Sequence, residues 1–364
     1  MTTPTPPIAP TPSRWHSITG SPAFRLLLGV IVSGLTIYLA INTVTLDDLV
    51  VAFGSAQLLW VSLALLSVAI NTGAKAIRWK VLLGAAGKPI HLWDYLAVLL
   101  IGQMLNTLIP ARVGDLSRAY MIGGMGPGRV FTFGTVVIEK FLDMVAYALL
   151  FGLLLLLIPL PDWVRSPATG LAAAGVVVVL VLIGVVIGRG GIEWGLTWLL
   201  HWLPARIRTH LLGFAERGLA SVEVLRQRAD LLRLIGWTLV VWSTAVLTNY
   251  LVLLALDLHL PLAASILLLV VLQAGIALPS VPGKIGVFEY SCILVLALYG
   301  VAQPLALSYG ILLHTIVLVP TTLMGVVLFW QRGLSVAQLQ TASTSLEATP
   351  PNPTPANPQE QTTP

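Results

Sequence analysis

Apolar stretches at about 24–42, 58–77, 92–109, 131–158, 168–188, 233–256, 262–280, 286–301 and 304–330 recur along the chain, most of them close to the ~20 residues that carry an α-helix across a bilayer core. No other feature limits the fold so strongly. In lipid every backbone N–H and C=O must find its partner within protein, which leaves helices or closed barrels, and runs of this length are helical. Composition agrees: of 364 residues, 57% are hydrophobic and 10% charged, against about 25% charged in soluble domains. The expected fold class is an all-α polytopic membrane protein, and most soluble enzyme classes are excluded.

The net charge of +5 does not point to nucleic acid, because Lys and Arg sit at the ends of apolar runs, where they report topology. The single cysteine, Cys292, lies inside an apolar run, so neither a disulfide framework nor a cysteine metal site is expected. Residues 1–22 and 333–364 are rich in Pro, Thr, Ser, Gln and Asn and read as disordered tails. Between them, 23–332 reads as one transmembrane domain with halves 23–160 and 167–332. The first run lacks a small-x-small cleavage site and is read as a retained anchor.

Charge assigns the loops. Asp47 and Asp48 in a segment without Lys or Arg place 43–57 outside and the N-terminus inside. The connection with Lys75, Arg78, Lys80 and Lys88, and the Arg-rich stretch 189–233, fall inside. Arg78-Trp79 then reads as an interfacial anchor. The stretch Arg217 to Arg228 reads as an amphipathic helix on anionic lipid. With the segment holding Arg112, Arg118 and Arg129 also inside, the run 92–109 both starts and ends on one side. A re-entrant hairpin resolves the conflict: a descending helix, a break at Pro110, and a short polar helix returning over about 113–122.

The second half contains a matching break. Pro110-Ala-Arg112-Val-Gly114 and Pro282-Gly283-Lys284-Ile-Gly286 share Pro, a cation, a β-branched residue and Gly, 172 residues apart. Pro removes a backbone donor and Gly opens unusual dihedrals, so each pentapeptide interrupts a helix. Each half reads as two spans, a hairpin and a third span. An odd number of crossings turns the second half upside down, giving an inverted-topology repeat with about six full spans and two hairpins, one or both re-entrant. Transporters so built hold substrate near the midplane, between interrupted helices.

Charged residues inside spans cost at least about 2.5–3.5 kcal/mol each and call for a partner or a purpose. Asn106, Arg112, Asp115 and Arg118 gather at the first break, and Lys284 and Glu289 at the second; these six are the candidate substrate-binding residues. Guanidinium forks match phosphate oxygens, and Asp115 balances them. Glu139, Lys140 and Asp143 lie in the run 131–158. They form either a buried ion pair with the returning helix or a titrating carboxylate that couples transport to protons. His314 reads as a hydrogen-bonded packing residue. No nucleophile with partners, no phosphate-cradling loop and no metal-ligand cluster is evident, so neither an enzyme activity nor a cofactor is expected.

At Arg78-Trp79, Asn106-Thr-Leu-Ile-Pro110-Ala-Arg112-Val-Gly114-Asp115-Leu-Ser-Arg118, Glu139-Lys140-Phe-Leu-Asp143 and Pro282-Gly-Lys-Ile-Gly286-Val-Phe-Glu289, the chain resembles the flippase-like transmembrane family named after the lysylphosphatidylglycerol synthase membrane region. The likeness covers about 24–332. It implies movement of a lipid or lipid-linked precursor across the cytoplasmic membrane; the cations at the breaks make that a phospholipid or lipid-linked anionic precursor, and loop charge, with Arg332 after the last run, puts both termini of the multi-pass chain inside. It departs from the family pattern where Asp115 stands for Glu, Lys140 for Arg and Lys284 for Gly. The alternatives are a non-catalytic membrane partner of a lipid or glycan biosynthetic enzyme, or a small-solute transporter.

Overall fold

The computed structural model describes residues 22–41, 56–84, 89–109, 113–157, 221–276 and 281–334, with isolated positions between these stretches. Both tails, the expected span at 168–188 and most of the Arg-rich stretch lie largely or wholly outside them, as do Pro110 and Arg112. Among the described residues all regular structure is helical. The α-helices are α1 (Pro22–Ile41), α2 (Leu58–Leu83), α3 (Leu92–Leu108), α4 (Val113–Gly123), α5 (Arg129–Leu157), α6 (Arg228–Ala255), α7 (Leu262–Ile276), α8 (Val287–Ala297) and α9 (Gln303–Gln331). Of these, α2, α6 and α9 are long and apolar enough to cross a membrane on their own.

Helix ends follow local chemistry. Ile109, the residue before Pro110, is extended (φ −111°, ψ 122°), because the following ring excludes helical dihedrals there and stops α3. In the second break Val281, before Pro282, is likewise extended, and Pro282–Lys284 form one 3-10 turn. The return arms α4 and α8 have 11 residues each, a rise of about 16 Å, or roughly half the ~30 Å hydrocarbon core.

Packing pairs the two halves. α2 and α6 run antiparallel over most of their lengths: Gln57 N–H donates to the Ala255 carbonyl at one end, and Arg78 reaches Thr238 near the other. α2 packs on α3 as α6 packs on α7; α3 on α4 as α7 on α8; α4 on α5 as α8 on α9; and α3 on α9 as α7 on α5. The start of α3 and the end of α9 share one face, joined by Asp94 and Arg332 at 2.6 Å. The end of α1 and the start of α9 share the other, where Gln303 donates to the Leu39 and Ala40 carbonyls. α3 and α7 therefore enter from opposite faces, and α3 touches the Pro282–Lys284 turn. The largest core cluster lies between α2, α6, α7, α8 and α9, with Ala64, Val252, Leu267 and Cys292 fully buried. Leu58, Leu156, Leu239 and Trp330 are exposed outside it, as lipid-facing side chains are.

Two expectations are corrected. The second span does not end at 77. Nothing from there to Leu83 breaks a helix, so Lys75, Arg78 and Lys80 belong to α2 and not to a loop. In the Arg-rich stretch, Ser221–Arg226 form a 3-10 turn packed against α2, α5 and α6, with Leu225 in the core, so this part does not lie free on lipid.

Candidate functional site

At each helix break a side chain accepts a hydrogen bond from the glycine N–H. At the first, Gly114 N–H donates to Asn106 Oδ1 at 2.9 Å. At the second, Gly286 N–H donates to Glu289 Oε2 at 2.7 Å. Each satisfies a backbone donor that the interruption leaves without its helical partner. Gly114 also lies so close to Gly102 that any Cβ would collide with the Gly102 carbonyl oxygen, which fixes the crossing of α3 and α4. Gly286 takes φ +90° against Ser33, Thr36 and Ile37 of α1. Lys284 takes φ +59°, a left-handed backbone costing an L-residue with a side chain about 1–2 kcal/mol. The adjacent Gly283, at φ +76°, has no such cost.

A buried ionic network joins α2, α4 and α5. Arg118 and Glu139 pair at 2.6 Å, and Arg78 bonds Asp143 at 2.8 Å and approaches Glu139 at 3.5 Å. Asp115 pairs with Arg118 at 3.7 Å and Lys140 at 3.4 Å. The Arg118 guanidinium lies 4.3 Å over the Trp79 ring, whose N–H donates to Thr135. Arg78 and Trp79 are fully buried, so they are no interfacial anchor. They sit within the network because Glu139 and Asp143 supply the carboxylates that let a guanidinium remain charged away from water. Arg118 and Asp115 serve the network and do not line the cavity described next.

That cavity, of about 420 Å³, lies between the two breaks. α2 contributes Asn71 and Lys75; α3 contributes Gln103, Asn106 and Thr107; α5 contributes Asp143. From the second half come Thr248 and Asn249 of α6, Gln273 of α7, Gly283 and Lys284 of the turn, and His314 of α9. His314 Nδ1 is 2.6 Å from Glu289 Oε1, and its ring stacks on Phe288 at 4.3 Å. Glu289 is thus held by Gly286 and His314. Asp143 links the two assemblies, since it lines the cavity while bonded to Arg78. Two apolar grooves adjoin. One, of about 560 Å³ between α5 and α6, shares Trp242 with the cavity. The other, of about 410 Å³ between α1 and α9, shares Gly283, His314 and Leu318.

Residues 26–325 match the family described as the lysylphosphatidylglycerol synthase TM region. The chain belongs to that family. The match runs from α1 into the last turns of α9 and contains both breaks and the whole cavity lining. The chain is also similar to the UPF0104 membrane protein MJ1078 of Methanocaldococcus jannaschii, 26% identical over 231 residues that cover 63% of this chain and 94% of the archaeal protein. Family membership and the three long apolar helices put the protein in a membrane.

Of the six candidate substrate-binding residues, Asn106 and Lys284 line the cavity, Asp115 and Arg118 are in the ionic network, Glu289 lies behind His314, and Arg112 is outside the described residues. Sequence reasoning did not select Asn71, Lys75, Gln103, Asn249 or Gln273. A usable signal existed for two of them: Asn71, Lys75 and Arg78 follow a helical i, i+4, i+7 spacing, which puts three polar groups on one face of an apolar span.

Proposed function

We propose that the protein translocates a phospholipid or lipid-linked anionic precursor between membrane leaflets, without catalysing a covalent reaction. The observation that carries this is the polar cavity at the meeting point of the two interrupted helix pairs, with apolar grooves adjoining it. Interrupted helices facing each other at mid-membrane are where secondary transporters hold their substrates. Lys75 and Lys284 supply cations for phosphate, and Asp143 is already neutralised by Arg78. Lys284 keeps its strained φ where glycine would relax it, which is the pattern of a side chain retained for its chemistry.

The recurring contact pattern, the antiparallel α2 and α6, and the entry of α3 and α7 from opposite faces all favour an inverted repeat, and the short arms α4 and α8 favour re-entrant hairpins. The face that bears Lys80, Arg129, Arg228 and Arg332 is assigned to the cytoplasm, together with both termini, and the face with Asp47 and Asp257 to the outside. The apolar grooves favour a lipid over a small solute, because a tail leaving the cavity meets lipid-like walls. Trp242 stands where the polar and apolar spaces join, and its buried indole N–H has no hydrogen-bond partner among the described residues.

The test is translocation of asymmetrically labelled anionic lipid in proteoliposomes. Removing one charge-assisted contact is worth about 1.5–3 kcal/mol, so Lys75→Ala should slow translocation roughly 10-fold or more. If the double variant Lys75→Ala, Lys284→Gly moves anionic lipid as fast as the unmutated protein, the assigned role of the cavity is wrong.

A further inference from the structure

We infer that the cavity is built for a phosphate headgroup that also carries several hydroxyl groups, as in an inositol or hexose phosphate attached to a lipid, and not for a bare phosphate or an amino headgroup. The inference rests on the lipid-translocation reading above and adds the class of headgroup.

Some polar groups in the cavity are committed: the Asn71 amino group donates to the Val241 carbonyl and Thr244 Oγ1, and Asn106 Oδ1 accepts from Gly114. That leaves the Asn71 carbonyl as an acceptor and the Asn106 amino group as a donor. Gln103 and Gln273 each offer a donor and an acceptor, and their side chains have no hydrogen-bond partner among the described residues. Lys75 adds a cationic donor, and Lys284, which has an interaction of its own, adds positive charge. A matching ligand therefore supplies an anionic acceptor to Lys75 and both donors and acceptors to the carboxamides.

An ionised phosphate accepts only, and would leave the amide oxygens of the buried Asn71 and the half-buried Gln103 without donors. An ammonium supplies donors, but it faces two lysines and one carboxylate that Arg78 already holds at 2.8 Å. A choline head calls for an aromatic cage; of the two aromatic rings in the lining, Phe288 is stacked on His314. A hydroxyl both donates and accepts, as the free carboxamides require. A phosphate beside several hydroxyls answers the whole set, and about 420 Å³ is within the range of small-molecule pockets.

Native mass spectrometry of the purified full chain tests this, in mixed micelles holding equimolar phosphatidylinositol, a hexosyl prenyl phosphate, phosphatidic acid, phosphatidylethanolamine and phosphatidylcholine. One or both hydroxylated lipids should be retained about 10-fold over each of the other three, and the comparison between the two tells a glycerolipid source from a prenyl one. Equal retention of phosphatidic acid, or preference for either amino lipid, overturns the inference. In the double variant Gln103→Leu, Gln273→Leu the preference over phosphatidic acid should fall to within about twofold while phosphatidic acid itself is retained as before. An unchanged preference overturns it. Should that variant not fold, Gln273→Leu alone, at an exposed position on the cavity wall, should at least halve the preference, and an unchanged value overturns it. Retention of the hydroxylated lipids by a protein that moves no lipid in proteoliposomes would refute translocation while sustaining the headgroup class.

Discussion

Glu139 lies between two guanidinium groups, 2.6 Å from Arg118 and 3.5 Å from Arg78, and all three are buried. Removing its carboxylate would leave two cations competing for Asp143 and Asp115. Glu139→Ala is expected to cost about 3–5 kcal/mol, the range for breaking a buried ion pair from one side. Lys140→Ala, which removes a half-exposed partner of Asp115, should cost less than about 1 kcal/mol. Thermal unfolding in detergent measures both, and equal losses would refute the view that Glu139 is the centre of the network. At Lys284 the two readouts should part: Lys284→Gly relieves a left-handed backbone and should stabilise by about 0.5–1 kcal/mol, while slowing translocation. A destabilised variant would mean that the lysine is there for packing. The carboxylates at 139 and 143 were visible in the sequence from their cost in an apolar run. Arg78 was not, because an arginine near the end of such a run looks the same whether it snorkels to the interface or turns inward to a carboxylate 65 positions away.

Among the elements, the two hairpins were the most legible. Pro320 lies within α9 without ending it, whereas Pro110 follows the apolar run directly and excludes helical dihedrals at Ile109, so the end of α3 and the start of α4 near 113 followed from local chemistry. The closeness of the arms did not, since it depends on Gly102 meeting Gly114 across the hairpin. Gly114→Ala should force α3 and α4 apart and cost about 1–3 kcal/mol or more, whereas Gly152→Ala in α5, with open space at its Cβ, should be neutral or slightly stabilising. Tm values for the pair check this. The length of α2 is not legible from charge, because Lys75, Arg78 and Lys80 suit a loop and a helix alike and none of them breaks a helix.

For the molecule as a whole, the prediction concerns sidedness. With Cys292 replaced by alanine, a thiol placed at Gly124, in the exposed turn between α4 and α5, should react with an impermeant maleimide from the cytoplasmic side only. External labelling there would refute the proposed re-entrant hairpin and, with it, the proposed inverted repeat. The sequence by itself determined that the chain is a helical membrane protein, that α3 ends before Pro110 and that a second interruption lies at Pro282–Lys284. Those conclusions rest on backbone solvation, proline sterics and charge in lipid, all of which act within a few residues. Tertiary structure decided which polar groups come together: Arg118, on the returning helix, as the partner of Glu139, Arg78 with Asp143, and Gln103 and Lys284 in the lining of one cavity. Partners so distant in sequence are selected by packing, and local patterns carry no record of that choice.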